Sequence, residues 1–194
     1  MACVKLKVDM KYLGIDCGGT NLRAGIVDEE GSLSKRWKVP SPLRSNPQSL
    51  AEIVKGIVGD EKFEGIGVGV PGPLDIEKGL ILPSSNLGNK EPIDVKDNIK
   101  SILDIEIFLD RDTVVALLGE VWKGTAVGAQ NVIMLTLGTG VGGAIMVNGE
   151  IDRGESGKAG EIGHMLLGLS GSFGQSLGSA SSSKSLRSED VHGA

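Results

Sequence analysis

The sequence predicts an α/β protein built on a mixed sheet, and three observations predict it. Apolar runs of strand length lead repeatedly into segments with helical period, the pattern of layered α/β domains. Aromatic residues make up only 3% of the chain and hydrophobic residues 40%, so the core has to be built from Val, Ile and Leu, as buried strands are. Finally, 12–27 and 132–147 are constructed alike: an apolar strand, a glycine-rich turn with a threonine, and a second apolar strand.

Residues 12–16, 22–27 and 33–39 read as three consecutive strands, with Asp28–Gly31 turning between the last two. After Pro40, Pro42 and Ser45 a helix is expected. Asn46 is a good N-cap, Pro47 suits the first helical position, and Leu50, Ile53, Val54, Ile57 and Val58 share one face. Gly65–Val70 reads as a buried strand ending at Pro71–Pro73, followed by a loop-rich stretch to about Asn89. A short helix over Val95–Ile102 and a strand over Ile105–Leu109 come next. Asp112 then starts a helix whose apolar face is Val114, Val115, Leu118, Val121 and Trp122. An antiparallel opening meander followed by strand–helix units is similar to the ribonuclease-H-like layout of actin and the sugar kinases.

The glycine turns carry the chemistry. Without a Cβ, successive backbone N–H groups can line one concavity and an anion can come close. A pair of such turns suggests two lobes, each with a phosphate clasp for one nucleotide. The rival is a dinucleotide site, because Gly138, Gly140 and Gly143 fit G-x-G-x-x-G after a strand. That fingerprint needs a helix opening at its last glycine. Here Ala144–Val147 runs into an Asn148–Gly149 turn signal, which reads as a strand and hairpin.

Composition narrows the classes. A net charge of −5 argues against nucleic acid as a partner, because phosphate backbones are bound by basic surfaces. No apolar run has the length to span a membrane, and Lys5, Lys7 and Asp9 stand where a signal peptide would be apolar, so a cytoplasmic protein is expected. Cys3 and Cys17 are the only cysteines, too few for a disulfide framework or a thiolate metal site. Cys17 reads as a small buried residue rather than a nucleophile. Gly168–Ala194 is rich in Ser and Gly without apolar period, and disorder is expected there.

Five segments in order resemble the ROK family (repressors, open reading frames and kinases), in particular its glucokinases, across about 10–167. They are Gly14–Asn21, Gly65–Asp75, Asp110–Glu120, Leu135–Gly143 and Gly157–Met165. The resemblance implies a ribonuclease-H-like lobe of the actin/hexokinase superfamily over 1–124, then an incomplete second lobe over 125–167, then the tail 168–194. It implies ATP-dependent phosphorylation of a hexose at its primary hydroxyl, with glucose first and N-acetylmannosamine or fructose behind it. Asp112 would accept the hydroxyl proton. Asp16 would hold Mg²⁺ through water, and Gly18, Gly19 and Thr20 would line the phosphate path. Gly138, Thr139 and Gly140 would clasp the nucleotide. Gly72, Arg111, Asp112, Glu161 and His164 would form the sugar site.

Each residue has a plainer reading: Asp112 as a helix cap, Asp16 in an Asx-turn, Glu161 and His164 as solvated polar groups. Two departures from the family stand out. Arg111 replaces the Asn that precedes the catalytic Asp. The cysteine cluster that holds structural zinc is replaced by serines after Gly168, so zinc would lack its thiolates. A truncated or frame-altered family member is therefore expected, and the alternative function is a non-catalytic sugar-sensing relative or an inactive fragment. Asp16 comes too early for a helix-turn-helix ahead of it. Without the rest of the lobe, the strands at 131–147 would leave one sheet face uncovered, which favours self-association as a homodimer.

Overall fold

Alternation of side chains organises the first sheet. In the computed structural model, which describes residues 10–137 and 140–165, β1 (Lys11–Cys17) buries Leu13, Ile15 and Cys17 and presents Tyr12, Gly14 and Asp16 on its other face. Strand β2 (Asn21–Asp28) buries Leu22, Ala24 and Ile26 in antiparallel register with β1. Strand β3 (Leu33–Pro40) pairs antiparallel with β2 and forms the sheet edge. Lys35, Arg36, Lys38 and Pro40 along it discourage further pairing. The expected meander is present.

Helix α1 (Leu50–Val58) buries Leu50, Ala51, Val54 and Val58. Its start differs from expectation. Pro47–Ser49 form a single 3-10 turn, and the Asn46 side chain makes no cap hydrogen bond. The cap comes from far along the chain: Asn98 Oδ1 accepts the Ala51 N–H at 3.0 Å, and Asn98 Nδ2 donates to the Gln48 carbonyl at 3.0 Å. A cap supplied by a residue distant in sequence leaves no local signature.

Strand β4 (Gly65–Val70) lies parallel to β1 and buries Ile66, Val68 and Val70. The stretch expected to be loop contains β5 (Leu74–Asp75) and β6 (Leu80–Ile81), which with β7 (Ile93–Asp94) make a small antiparallel sheet. Strands this short carry no readable alternation. Helix α2 (Lys96–Lys100) contributes buried Ile99, and β8 (Ile107–Arg111) lies parallel to β4. This strand begins two positions later than expected and includes Arg111. The sheet order is β3-β2-β1-β4-β8, and one cluster including Leu13, Leu22, Val54, Ile66 and Ile99 forms the core beneath it.

Helix α3 (Asp112–Lys123) starts where expected, but its apolar face is not the expected one. Val114 and Leu117 are buried, while Val115, Leu118 and Trp122 are 38%, 44% and 48% exposed. Apolar period alone misplaced the stripe: of its residues Val114 is fully buried, and Leu117, which it left out, completes the buried i, i+3 pair. The chain divides into two compact units between Val115 and Ala116, inside this helix.

The second unit holds an antiparallel sheet of β9 (Val132–Leu137), β10 (Val141–Val147) and β11 (Glu150–Asp152), ordered β11-β10-β9. The Asn148–Gly149 turn is present, with φ of 53° and 83° suited to a tight hairpin. Along β9 the alternate residues Ile133, Leu135 and Leu137 are 70%, 51% and 81% exposed. The expected tail at 168–194 lies outside the described residues. Among the described residues no helix is long and apolar enough to cross a membrane.

The distant cap is directly testable. Asn98→Ala should destabilise the protein by about 1 kcal/mol in urea unfolding, whereas Asn46→Ala should leave the midpoint nearly unchanged. The reverse ranking would restore Asn46 as the cap.

Candidate functional site

The register of β1 and β2 leaves Gly18–Asn21 as the first glycine turn. The Gly18 N–H donates to the Asn21 carbonyl at 3.0 Å and so closes the turn rather than facing outward. A Cβ on Gly18 would fall 3.1 Å from that carbonyl oxygen, which explains the glycine. The N–H groups of Gly19 and Thr20 have no backbone acceptor among the described residues. They are the donors this turn can offer an anion. The Thr20 carbonyl accepts the Ser41 N–H at 3.0 Å, tying the turn to the following loop. Beneath it Cys17 is fully buried, and burial pushes its thiol up to about 12, partly offset by a hydrogen bond with Ser41. Such a thiol is inert at neutral pH, in line with its reading as packing.

Sheet register aligns four residues at one level. Arg23 on β2 pairs with Asp16 on β1, Asp16 with Gly69 on β4, and Gly69 with Asp110 on β8. Register partners share a face, so Asp16 and Asp110 flank Gly69 at about 4.8 Å per strand. Onto this bare position comes α3: a Cβ on Gly69 would lie 3.4 Å from Asp112 Cα and 3.6 Å from Val115. Asp112 is thereby set above the sheet beside Asp16, at the carboxyl ends of the parallel strands, where α/β sheets place their ligand crevices. Its Oδ1 also accepts the N–H of the next residue, Thr113, at 2.7 Å, and the side chain is exposed.

Asp16 is half exposed, and Arg23 Nη1 donates to its Oδ2 at 2.9 Å. A single accessible carboxylate with its second oxygen free fits Mg²⁺ held through water, since that ion keeps several waters and takes the rest of its shell from phosphates. Arg111 alternates with Asp110 and lies on the face of Ile107 and Leu109 at 6% exposure, the one buried charged residue among those described. Gly72, two residues past β4, has φ of 91°, a conformation that favours glycine.

In the second unit, β10 follows the second glycine turn directly. A strand there removes the helix that a dinucleotide site requires. Gly138 and Thr139 lie outside the described residues, and Gly140 is exposed. Residues 160–163 lie flat on β10 through paired glycines: a Cβ on Gly143 would fall 2.6 Å from the Gly160 carbonyl oxygen, and one on Gly160, whose φ is 86°, 2.8 Å from the Gly143 oxygen. This packing presents Glu161 and His164 side by side, with 3.9 Å between Oε2 and Nε2 and His164 largely exposed.

Arg23 and Arg44 were not singled out in the sequence. Arg23 could have been found by counting register across the hairpin from Asp16. Arg44 carries no comparable signal.

The ROK family model matches residues 12–180. Glucokinase of Halalkalibacterium halodurans is 34% identical over 168 residues, covering 82% of this chain and 51% of the relative. Beta-glucoside kinase of Listeria monocytogenes is 30% identical, covering 84% and 56%. A solved ROK family glucokinase from Streptomyces griseus, in complex with glucose and AMPPNP, superposes with a TM-score of 0.72 at 31% identity, covering 86% of this chain and 55% of that one. The chain spans about half the length of the curated relatives it matches.

The seating of Asp112 can be tested through the glycines beneath it. Gly69→Val should cost about 1–3 kcal/mol in urea unfolding by forcing α3 away from the sheet. Gly67→Val, where nothing lies within 4 Å of an added Cβ, should cost less than about 0.5 kcal/mol. Equal effects would mean that Gly69 is not the contact that places Asp112.

Proposed function

The chain belongs to the ROK family, and we propose that it serves ATP-dependent phosphorylation of a hexose at its primary hydroxyl, with glucose the first substrate. The observation that carries this reading is the seat of Asp112 over Gly69, one strand away from Asp16.

Phosphoryl transfer asks a protein mainly for positioning, charge neutralisation and a base. The sugar's primary hydroxyl oxygen attacks the γ-phosphorus, the bond to the bridging oxygen of ADP breaks, and the hydroxyl proton passes to Asp112. Gly19 and Thr20 donate N–H groups to the terminal phosphate, while Gly18 keeps the turn closed. Mg²⁺, when bound, would neutralise phosphate charge, and Asp16 would hold it. Gly138, Thr139 and Gly140 clasp the nucleotide, and Gly72, Glu161 and His164 contact the sugar, roles that rest on the family resemblance. Carboxylate-to-hydroxyl bonds are directional, so Glu161 is the residue to discriminate among sugar epimers.

A relative named for glucose and ATP-analogue binding supports the choice of substrates, and one named for β-glucosides keeps the sugar panel open. The second reading is a non-catalytic sugar-binding relative. Arg111 favours it, because a buried cation stands where the family carries Asn.

A coupled ATP-consumption assay over glucose, N-acetylmannosamine, fructose and a β-glucoside separates the two. Turnover that falls by at least about 10²-fold in Asp112→Asn, with sugar affinity retained in calorimetry, is the expected result. Unchanged turnover would reduce Asp112 to a helix cap. Sugar binding without any ATP consumption by the unaltered chain would favour the second reading.

A further inference from the structure

We infer that Arg44 is a phosphate-contacting residue, its guanidinium lying across the first glycine turn to meet the terminal phosphate held by Gly19 and Thr20. This rests on the phosphoryl-transfer reading and adds to it a cation that neither motif nor resemblance assigns. A Cβ on Gly19 would fall 3.2 Å from Arg44 Nε and 3.3 Å from Nη2, so Gly19 is the position that lets the guanidinium lie against the turn.

The arginine is held in place at both ends. Its backbone follows Leu43, which is 1% exposed, and the loop is tied to the turn through Ser41 N–H on the Thr20 carbonyl. Its Nη2 donates to the Asn86 carbonyl at 2.7 Å. A guanidinium carries a fork of N–H donors, and this is the one engaged here. No carboxylate among the described residues comes within ion-pair distance of Arg44. It also borders an open cavity of about 350 Å³ that Lys90 and Glu91 line as well, which keeps it within reach of solutes.

The turn needs such a cation. Gly18 N–H is spent on Asn21, and the charge of Arg23 is taken up by Asp16. Apart from Mg²⁺ when bound, the turn itself offers the phosphate the N–H of Gly19 and that of Thr20, both neutral. Arg44 supplies positive charge and parallel donors that match phosphate oxygens. Its part is electrostatic, and no bond of its own forms or breaks.

Equilibrium binding of ATP, inorganic tripolyphosphate and adenosine to the full chain tests this. Arg44→Ala should weaken ATP and tripolyphosphate alike by about tenfold or more, with a loss that shrinks as salt rises and no change for adenosine. Arg44→Lys, which keeps the charge and loses the fork, should recover part of the affinity. Should Arg44→Ala fail to fold, Arg44→Gln, which keeps a donor for the Asn86 carbonyl, carries the same comparison. Unchanged tripolyphosphate affinity with ATP binding intact would overturn the role of Arg44 and leave the kinase reading standing. Failure of the unaltered chain to bind either triphosphate would overturn both.

Discussion

A glycine with a helix lying on it governs the geometry of the candidate site. Gly69 has no side chain, so the first turn of α3 can settle on β4 between Asp16 and Asp110. A Cβ here would already be in contact with Asp112 Cα and Val115, so a branched side chain would press the helix away from the sheet. The same helix start is stabilised locally by the Asp112 carboxylate on the Thr113 N–H.

Charge is arranged around this seat with the same economy. Asp16 faces Arg23 directly across the hairpin, and the pair is half exposed, so it contributes little to stability and mostly sets the local field. Arg111 is buried on the opposite face of the strand that carries Asp110. Burying a guanidinium is costly unless its donors are met, and among the described residues no buried side-chain nitrogen or oxygen lacks a partner. Alternation on one strand therefore sends one charge to the site face and the next into the core.

Much of this was legible in the sequence because the signals are local. The meander, the strand Gly65–Val70, the helix start at Asp112 and the Asn148–Gly149 hairpin all follow from period and turn chemistry. What escaped depends on residues far apart in the chain. Asn98 capping Ala51, Gly160 meeting Gly143, and Arg44 against Gly19 join positions 47, 17 and 25 apart in the chain. A glycine run shows that a turn is open to anions, and not which of its N–H groups the turn itself consumes, as the Gly18 N–H is by the Asn21 carbonyl. The stripe on α3 was misplaced for a related reason: apolar spacing reports which residues can face a neighbour, whereas the buried side is set by Val114 and Leu117 and leaves Leu118 and Trp122 exposed.

The central claim is that Asp112, Asp16 and the first glycine turn act on one transferring phosphate. A crystal structure of the full chain with glucose and a non-hydrolysable ATP analogue tests it most directly. The account predicts the Asp112 carboxylate within hydrogen-bond reach of the sugar's primary hydroxyl, about 2.6–3.2 Å, and the terminal phosphate on the N–H groups of Gly19 and Thr20. A terminal phosphate bound away from that turn, or a primary hydroxyl turned from Asp112, would contradict it.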